Sequence, residues 1–316
     1  MCIRDSHISD YYVTMPAIGS AMLLAMAAAD GWSASKYLRI LAVFATLAYV
    51  AVMLPVTYTA SRWWFERTHR VKTLVLGVMA AMDKHPGKAI ALDDVNSELY
   101  NDSIGHSAFY ILGKQDVYLV PQLRYEIKSE NNMADLDDTV LAPGPMVRAL
   151  ENDQVVVYSV SGDRLRNITR MYGAAAKLTL SRDDPKLVNV GNSLHRYLLG
   201  PGWYPIETTF RWMTDKASVR IGGPKTPREQ LFLQGSAPVK NLGGVPVHLS
   251  VSVDGVPIGT TEIAEPDGIF QRWFPIPQQF VGKPSVVLLI QTDHLLRIEK
   301  ERALGLAFGK IAIREP

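Results

Sequence analysis

The chain has 316 residues, of which 47% are hydrophobic, and it carries a formal net charge of +2 at pH 7. This length leaves room for roughly two or three domains. The nearly balanced charge, without a basic stripe, gives no indication of nucleic-acid binding. The only cysteine is Cys2, which excludes a disulfide framework or a cysteine-based metal site within the chain.

The first ten residues differ in character from the remainder of the chain. The chain opens with MCIRDS, which resembles a translated sequencing adapter. We therefore expect residues 1–10 to be a non-native or disordered start, and the native protein to continue upstream. A signal peptide with residues 12–29 as its apolar core is the other interpretation. It is the weaker one, because its basic residue lies in the adapter-like stretch and a second apolar run comes directly after it.

Two apolar runs predict a pair of transmembrane helices within residues 11–62. The run at 37–58 has one charge, Arg39, followed by nineteen uncharged residues. At a rise of about 1.5 Å per residue, it is long enough to cross a hydrocarbon core of about 30 Å. The run at 12–29 has a small-residue stripe that favours close helix packing in lipid. Its members are Ala17, Ala21, Ala25 and Ala29.

The charges around these spans bear on their orientation. Trp63 and Trp64 fit an aromatic belt at the membrane surface. More Lys and Arg residues flank the C-terminal side than the short loop at 30–36. By the positive-inside rule, this count favours a cytoplasmic position for the remainder of the chain.

Residues 63–172 predict a linker helix and a small α/β domain. Apolar residues at helical spacing indicate a helix at 71–82, and a second helical stretch covers 97–112. Apolar strands at 89–92, 117–120 and 154–160 indicate a buried, parallel sheet. The acidic stretch at 129–139 is interpreted as a solvated loop.

Residues 173–316 predict an antiparallel β-sandwich of jelly-roll type. Short alternating runs are punctuated by Pro and Gly, at 217–221, 231–234, 245–253, 258–263, 269–274, 285–292 and 304–313. In the third run, alternate apolar residues have the period of a half-buried strand. The predicted fold class is therefore a transmembrane helical hairpin, a small α/β domain and a β-sandwich.

Two acidic groups are candidates for binding. Asp93 and Asp94 follow a predicted buried strand, where open α/β sheets bind ligands. Capping of the next helix by Asp94 or Asn96 is the competing interpretation. Asp135, Asp137 and Asp138 resemble a DxD metal motif only as a string, since no strand leads into them, and we predict no metal site.

An aromatic segment at 200–213, GPGWYPIETTFRWM, is the second candidate. Trp203, Tyr204 and Trp212 could stack on sugar rings, while Glu207 accepts hydrogen bonds from hydroxyl groups. Alternatively, both tryptophans pack into the sandwich and Glu207 pairs with Arg211 or Arg220, since large aromatics commonly stabilise cores. The chain has no HExxH, GxSxG, P-loop or GxGxxG motif, so we predict neither catalytic residues nor a cofactor.

The chain resembles the C-terminal part of bacterial polytopic membrane glycosyltransferases of the GT-C, family-39-like group. The resemblance covers nearly the whole chain: the final spans, RWWFERTHRVKTLV, HPGKAIALDDVNSEL, ILGKQDVYLVP, the aromatic segment and LGLAFGKIAI. It implies an enzyme that transfers sugar from a polyprenyl-phosphate carrier. The acidic catalytic residues of that family lie in an upstream loop that this chain lacks, so none is carried over.

The resemblance also implies a location and partners. These are the bacterial inner membrane, upstream transmembrane helices, periplasmic C-terminal domains and a glycan acceptor. The periplasmic location conflicts with the charge count, and we follow the resemblance. A non-enzymatic, membrane-anchored binding or assembly protein with a carbohydrate-binding-like sandwich is the alternative, in which the hairpin is only an anchor.

Overall fold

The computed structural model of the protein describes residues 10–114, 116–128, 136–161, 164–298 and 302–316. The adapter-like start at residues 1–9 lies outside them. The chain divides into two compact units, Met1–Thr68 and His69–Pro316. The finer predicted boundaries, at residues 62 and 172, stay predictions.

The described residues of the first unit form two long helices, and residues 69–84 of the second helix belong to the second unit. Helix α1 covers Asp10–Ala34, and α2 covers Lys36–Lys84. Within the described residues, α2 is the one helix long and apolar enough to cross a membrane, by length and composition. Leu41, Phe44 and Leu54 are each more than 60% exposed, and soluble monomers seldom expose so much contiguous apolar surface. The helix is therefore a candidate membrane span, while the second span and the orientation stay predictions.

A four-stranded sheet forms the first part of the second unit. Its strands are β1 (Ala89–Asp93), β2 (Val117–Leu119), β3 (Val155–Ser161) and β4 (Arg164–Asn167). The order is β2-β1-β3-β4, in which β1 pairs with β2 and β3 in parallel and β4 is antiparallel to β3. The predicted parallel pairing is confirmed, and the short, polar strand β4 is additional.

Short helices surround this sheet. They are α3 (Ser97–Asp102), α4 (Ala108–Ile111), α5 (Leu123–Glu126), α6 (Leu136–Thr139), α7 (Pro143–Glu151) and α8 (Thr169–Thr179), with a 3₁₀ turn at Ile104–His106. The helical stretch predicted over 97–112 is helical in three pieces, α3, the 3₁₀ turn and α4, because Ser103 is non-helical and Ser107 is left-handed, with φ 59°. The predicted solvated loop is helical at α6, and its residues 129–135 lie outside the described residues.

The α/β part has its own hydrophobic core. Ile90, Leu92 and Val157 of the sheet are fully buried. Tyr172 and Ala176 of α8 belong to the same core, so this core extends past residue 172. Parallel strands covered on both faces read as continuous apolar runs, which is why the sequence pattern identified them.

Eleven further strands follow within the described residues. They are β5 (Leu187–Asn189), β6 (Arg211–Trp212), β7 (Lys216–Gly222), β8 (Gln230–Ser236), β9 (Val247–Val253), β10 (Val256–Ile263), β11 (Ile269–Pro275), β12 (Ser285–Thr292), β13 (Leu296–Ile298), β14 (Arg302–Leu304) and β15 (Ala307–Arg314). There are 3₁₀ turns at Ser193–Leu198, Lys240–Leu242 and Gln278–Phe280.

These strands form the predicted antiparallel β-sandwich. One sheet has the order β10-β9-β12-β7, and the second has β11-β8-β15-β5, with β6 beside β15. A separate pair, β13 and β14, forms a hairpin. Leu249 and Leu288 of the first sheet and Leu231 and Ile311 of the second meet in one core. The sandwich is confirmed, and the jelly-roll assignment stays a prediction.

The strand predicted over 304–313 is confirmed from Ala307 onward, as β15, but it does not begin at Leu304. The chain forms β14, breaks at Gly305 and continues as β15. A Cβ at Gly305 would lie 2.4 Å from the carbonyl oxygen of Thr214. Only glycine tolerates such a close backbone approach, and the ladder is interrupted there.

Candidate functional site

One face of the second sheet points away from the core, and we call it the outer face. Leu231 and Leu233 of β8 lie in the core, so alternation places Phe232, Gln234 and Ser236 on the outer face. Strand register aligns two rows across this face. They are Trp212, Ala307, Ser236 and Ile269, and then Asn189, Lys310, Gln234 and Gln271.

A cleft runs along part of the outer face. One part has a volume of about 820 Å³, and its lining includes Trp212, Gln234, Ser236, Asp267 and Lys310. The other has about 570 Å³, and its lining includes Tyr110, Lys114, Asp116, Asn192 and Thr208. The two parts share Asp138, Asn189 and Thr209, so we treat them as one cleft. Each part is within the usual range of ligand sites, about 300–1,000 Å³.

An ion pair closes one side of the cleft. Lys310 of β15 lies 2.7 Å from Asp138 of α6, and its side chain is only 13% exposed. Asp137 pairs with Arg124 at 2.8 Å. The acidic residues at 137–138 are therefore ion-paired, whereas Asp135 lies outside the described residues.

Trp212 reaches the cleft because its neighbour points the other way. Arg211 is buried, and its Nε donates to the carbonyl oxygen of Val190 at 2.8 Å. Burial lowers the pKa of the Arg211 guanidinium. Successive residues of a strand alternate between faces, so Trp212 stands on the outer face, partly exposed. Its ring meets Phe210 edge-on, with centroids 6.2 Å apart.

Trp203 packs on the other side of the sheet. Its ring meets Phe308 edge-on at 5.9 Å and lies against the sandwich core. Its indole N–H donates to the carbonyl oxygen of Ser218 at 2.7 Å. The structure thus separates Trp203 from Trp212, which the sequence had placed in one cluster, and any ligand contact by Trp203 stays a prediction.

Tyr204 and Glu207 share a partner that the sequence did not identify. Arg302 lies 2.5 Å from Glu207, and its guanidinium stands 4.8 Å from the ring centroid of Tyr204. The expected pairing of Glu207 with Arg211 or Arg220 is wrong, because Arg211 binds backbone carbonyls and Arg220 pairs with Asp184. Binding of a ligand by Tyr204 or Glu207 stays a prediction.

Asp93 and Asp94 lie at the carboxyl end of β1, as predicted. Asn96, and not Asp94, caps the next helix, accepting from the backbone N–H of Leu99 at 2.8 Å. Asp94 is left-handed, with φ 59°, and its carboxylate accepts a hydrogen bond from Ser159 on β3. Burial raises the pKa of the Asp93 carboxyl. Neither aspartate is in the lining of the cleft, and their ligand-binding role stays a prediction.

The sequence did not identify several residues that line the cleft. Asn189, Gln234 and Lys310 come from three strands that are far apart in the sequence. A polar residue at an alternate position of a strand is normal for any solvated face, so each lacked a distinguishing signal. Within the described ranges, no group of three or more His, Cys, Asp and Glu side chains is placed to hold a metal ion.

Gly191 allows the backbone at this wall of the cleft to lie close to the backbone of Thr209. A Cβ at this position would lie 2.0 Å from the carbonyl oxygen of Thr209, which also lines the cleft. We expect Gly191→Ala to displace that wall and to destabilise the fold by about 2 kcal/mol, as overpacking does. A Cβ at Gly309, another lining residue, would have no atom within 4 Å. Gly309→Ala is the matched control, and equal thermal unfolding of both variants would contradict the close approach.

Comparisons with known proteins identify no family. No family model and no curated protein matches the chain. Among solved structures, a GH115 4-O-methyl-alpha-glucuronidase is 15% identical with TM-score 0.28, covering 44% of this chain and 18% of that one. A family 35 carbohydrate binding module from Clostridium thermocellum is 9% identical with TM-score 0.28, covering 40% and 97%. The chain thus spans less than a fifth of the glucuronidase, and similarities of this size assign no activity.

Proposed function

We propose that residues 69–316 bind a glycan in the cleft. Sugars combine many hydroxyl groups with flat, apolar C–H faces. The cleft offers the matching groups, since Gln234 and Asn189 supply amides that donate and accept, and Trp212 supplies a flat ring. Ligand sites commonly combine an apolar wall with a few polar groups that fix orientation. The partly exposed indole beside these amides is the observation that carries the proposal.

The binding test compares two aromatic residues. The full chain in detergent is screened on a glycan array, and the best ligand is then titrated by calorimetry. Trp212→Ala should weaken binding about tenfold, since about 1.4 kcal/mol of lost stacking corresponds to that factor. Tyr125→Ala is the control, because Tyr125 is 89% exposed and outside the cleft lining. Unchanged affinity in Trp212→Ala, or no glycan bound by the wild type, would refute the proposal.

A finer proposal rests on the resemblance and not on the cleft. In it, the bound glycan is the acceptor of an inner-membrane glycosyltransferase that uses a polyprenyl-phosphate sugar, with the second unit in the periplasm. The candidate span α2 is compatible with membrane attachment. Recovery of the upstream gene distinguishes the two forms. Further membrane spans with an acidic first loop would support the enzyme, and a start codon just before Tyr11 would support the non-enzymatic anchor.

A further inference from the structure

A second group of residues on the outer face lies beyond the cleft. Arg314 of β15 stacks on aromatic rings, with its guanidinium carbon 4.3 Å from the ring centroid of Phe232 and 5.4 Å from that of Trp273. The ring centroids of Phe232 and Trp273 are 4.7 Å apart. Phe232 is buried and Trp273 is partly exposed. The register places Gln230 beside Arg314 on the same face.

Arg314 differs from Lys310, a cation that also lies on this face. Lys310 is neutralised by Asp138. The contacts of Arg314 with described residues are cation–π contacts, without an ion pair, and its buried Nε has no hydrogen-bond partner there. Stacking holds a guanidinium plane in place while its in-plane N–H groups stay available for a bidentate contact with a carboxylate. A group held in this way loses little conformational entropy when it binds.

We propose that Arg314, Trp273 and Gln230 form a subsite for a carboxylate-bearing sugar unit. The inference rests on the proposed glycan binding and extends it to acidic glycans. Between Ala307, which neighbours Trp212, and Arg314, strand β15 covers about 20 Å at ~3.3 Å per residue. One extended glycan could therefore contact Trp212 in the cleft and place an acidic sugar unit at Arg314. Gln230 would then donate to or accept from the hydroxyl groups of that unit.

The test uses two ligands that differ only in charge. The full chain in detergent is titrated with an oligogalacturonide and with its fully methyl-esterified form. The wild type should bind the free acid at least about tenfold more tightly than the ester, which corresponds to about 1.4 kcal/mol. Arg314→Gln should remove this preference while leaving the affinity for the ester unchanged. Arg314→Lys should keep part of it, since lysine retains the charge without the bidentate geometry.

Arg228→Gln is the matched control, because Arg228 is exposed near the start of β8 and its loss should leave the preference intact. Equal thermal unfolding of the variants excludes a folding defect. A wild type without preference for the acid, or an equal preference in Arg314→Gln, would overturn the subsite and leave glycan binding standing. Trp212→Ala should lower the affinity for both ligands equally. If this variant lowers the affinity for neither ligand, the result counts against the proposed function instead.

Discussion

Replacing Trp203 by alanine is expected to lower the free energy of unfolding by about 3 kcal/mol, because a half-buried ring that packs on the core and its hydrogen bond are both lost. The ring packs against Phe308 and the sandwich core. Its loss leaves a cavity, and it also removes the hydrogen bond from the indole N–H to the carbonyl oxygen of Ser218. Trp203→Phe keeps a ring but lacks that donor, so we expect an intermediate loss of roughly 1–2 kcal/mol.

Trp212→Ala is the matched comparison for stability. Trp212 is partly exposed on the outer face and contacts Phe210 at its edge, so its loss should cost less than about 1 kcal/mol. The two variants thus separate a residue that stabilises the sandwich from one that faces the cleft. Chemical unfolding of the full chain in detergent, followed by tryptophan fluorescence, measures both. Equal losses in the two variants would contradict this division.

The division between these tryptophans also shows what sequence patterns could predict. Alternation identified β9 and its neighbours, because Val247, Leu249 and Val251 are buried and the residues between them in the strand are not. Continuous apolar runs identified β1 and β3, which are covered on both faces. A strand pattern reports which residues share a face, but not whether that face is covered. Trp203 and Trp212 are both aromatic residues in one segment, and only the strand pairing of Trp212 with Ala307 shows where its ring lies.

The cleft could not be predicted from the sequence for a different physical cause. Its walls join Asp138, Asn189 and Lys310, which are brought together by the packing of α6, β5 and β15. Each is unremarkable among its sequence neighbours. The stacked position of Arg314 could not be predicted either, because it depends on Phe232 and Trp273, which come from two other strands. Local composition cannot predict contacts made by tertiary pairing.

Acid should destabilise the second unit through His195. The side chain is 4% exposed, and burial lowers its pKa from 6.5 to about 4. Well above pH 6.5 the imidazole is neutral in both the folded and the unfolded state, so the free energy of unfolding does not depend on its titration. Below that pH the unfolded state binds a proton that the folded state does not bind. Stability therefore falls until the folded state also takes up the proton, near pH 4.

The expected loss is about 3 kcal/mol across this pH range, since one pKa unit corresponds to about 1.36 kcal/mol. His195→Gln, which cannot be protonated, should be less stable than the wild type at pH 7 but should lose less stability on acidification. His106→Gln is the control, because His106 is exposed. Unfolding curves of the three proteins at pH 7 and pH 4.5 measure the difference, and parallel losses in wild type and His195→Gln would contradict the assignment.

The position of His195 connects this titration to the cleft. Its Nδ1 accepts the backbone N–H of Asn189 at 3.0 Å, and Asn189 lines both parts of the cleft. A proton on Nδ1 would replace that acceptor with a donor and break the hydrogen bond. Ligand affinity should therefore fall together with stability as the pH approaches 4, and His195→Gln should reduce this fall in affinity as well. An affinity that stays constant while stability declines would show that β5 keeps its position without the imidazole.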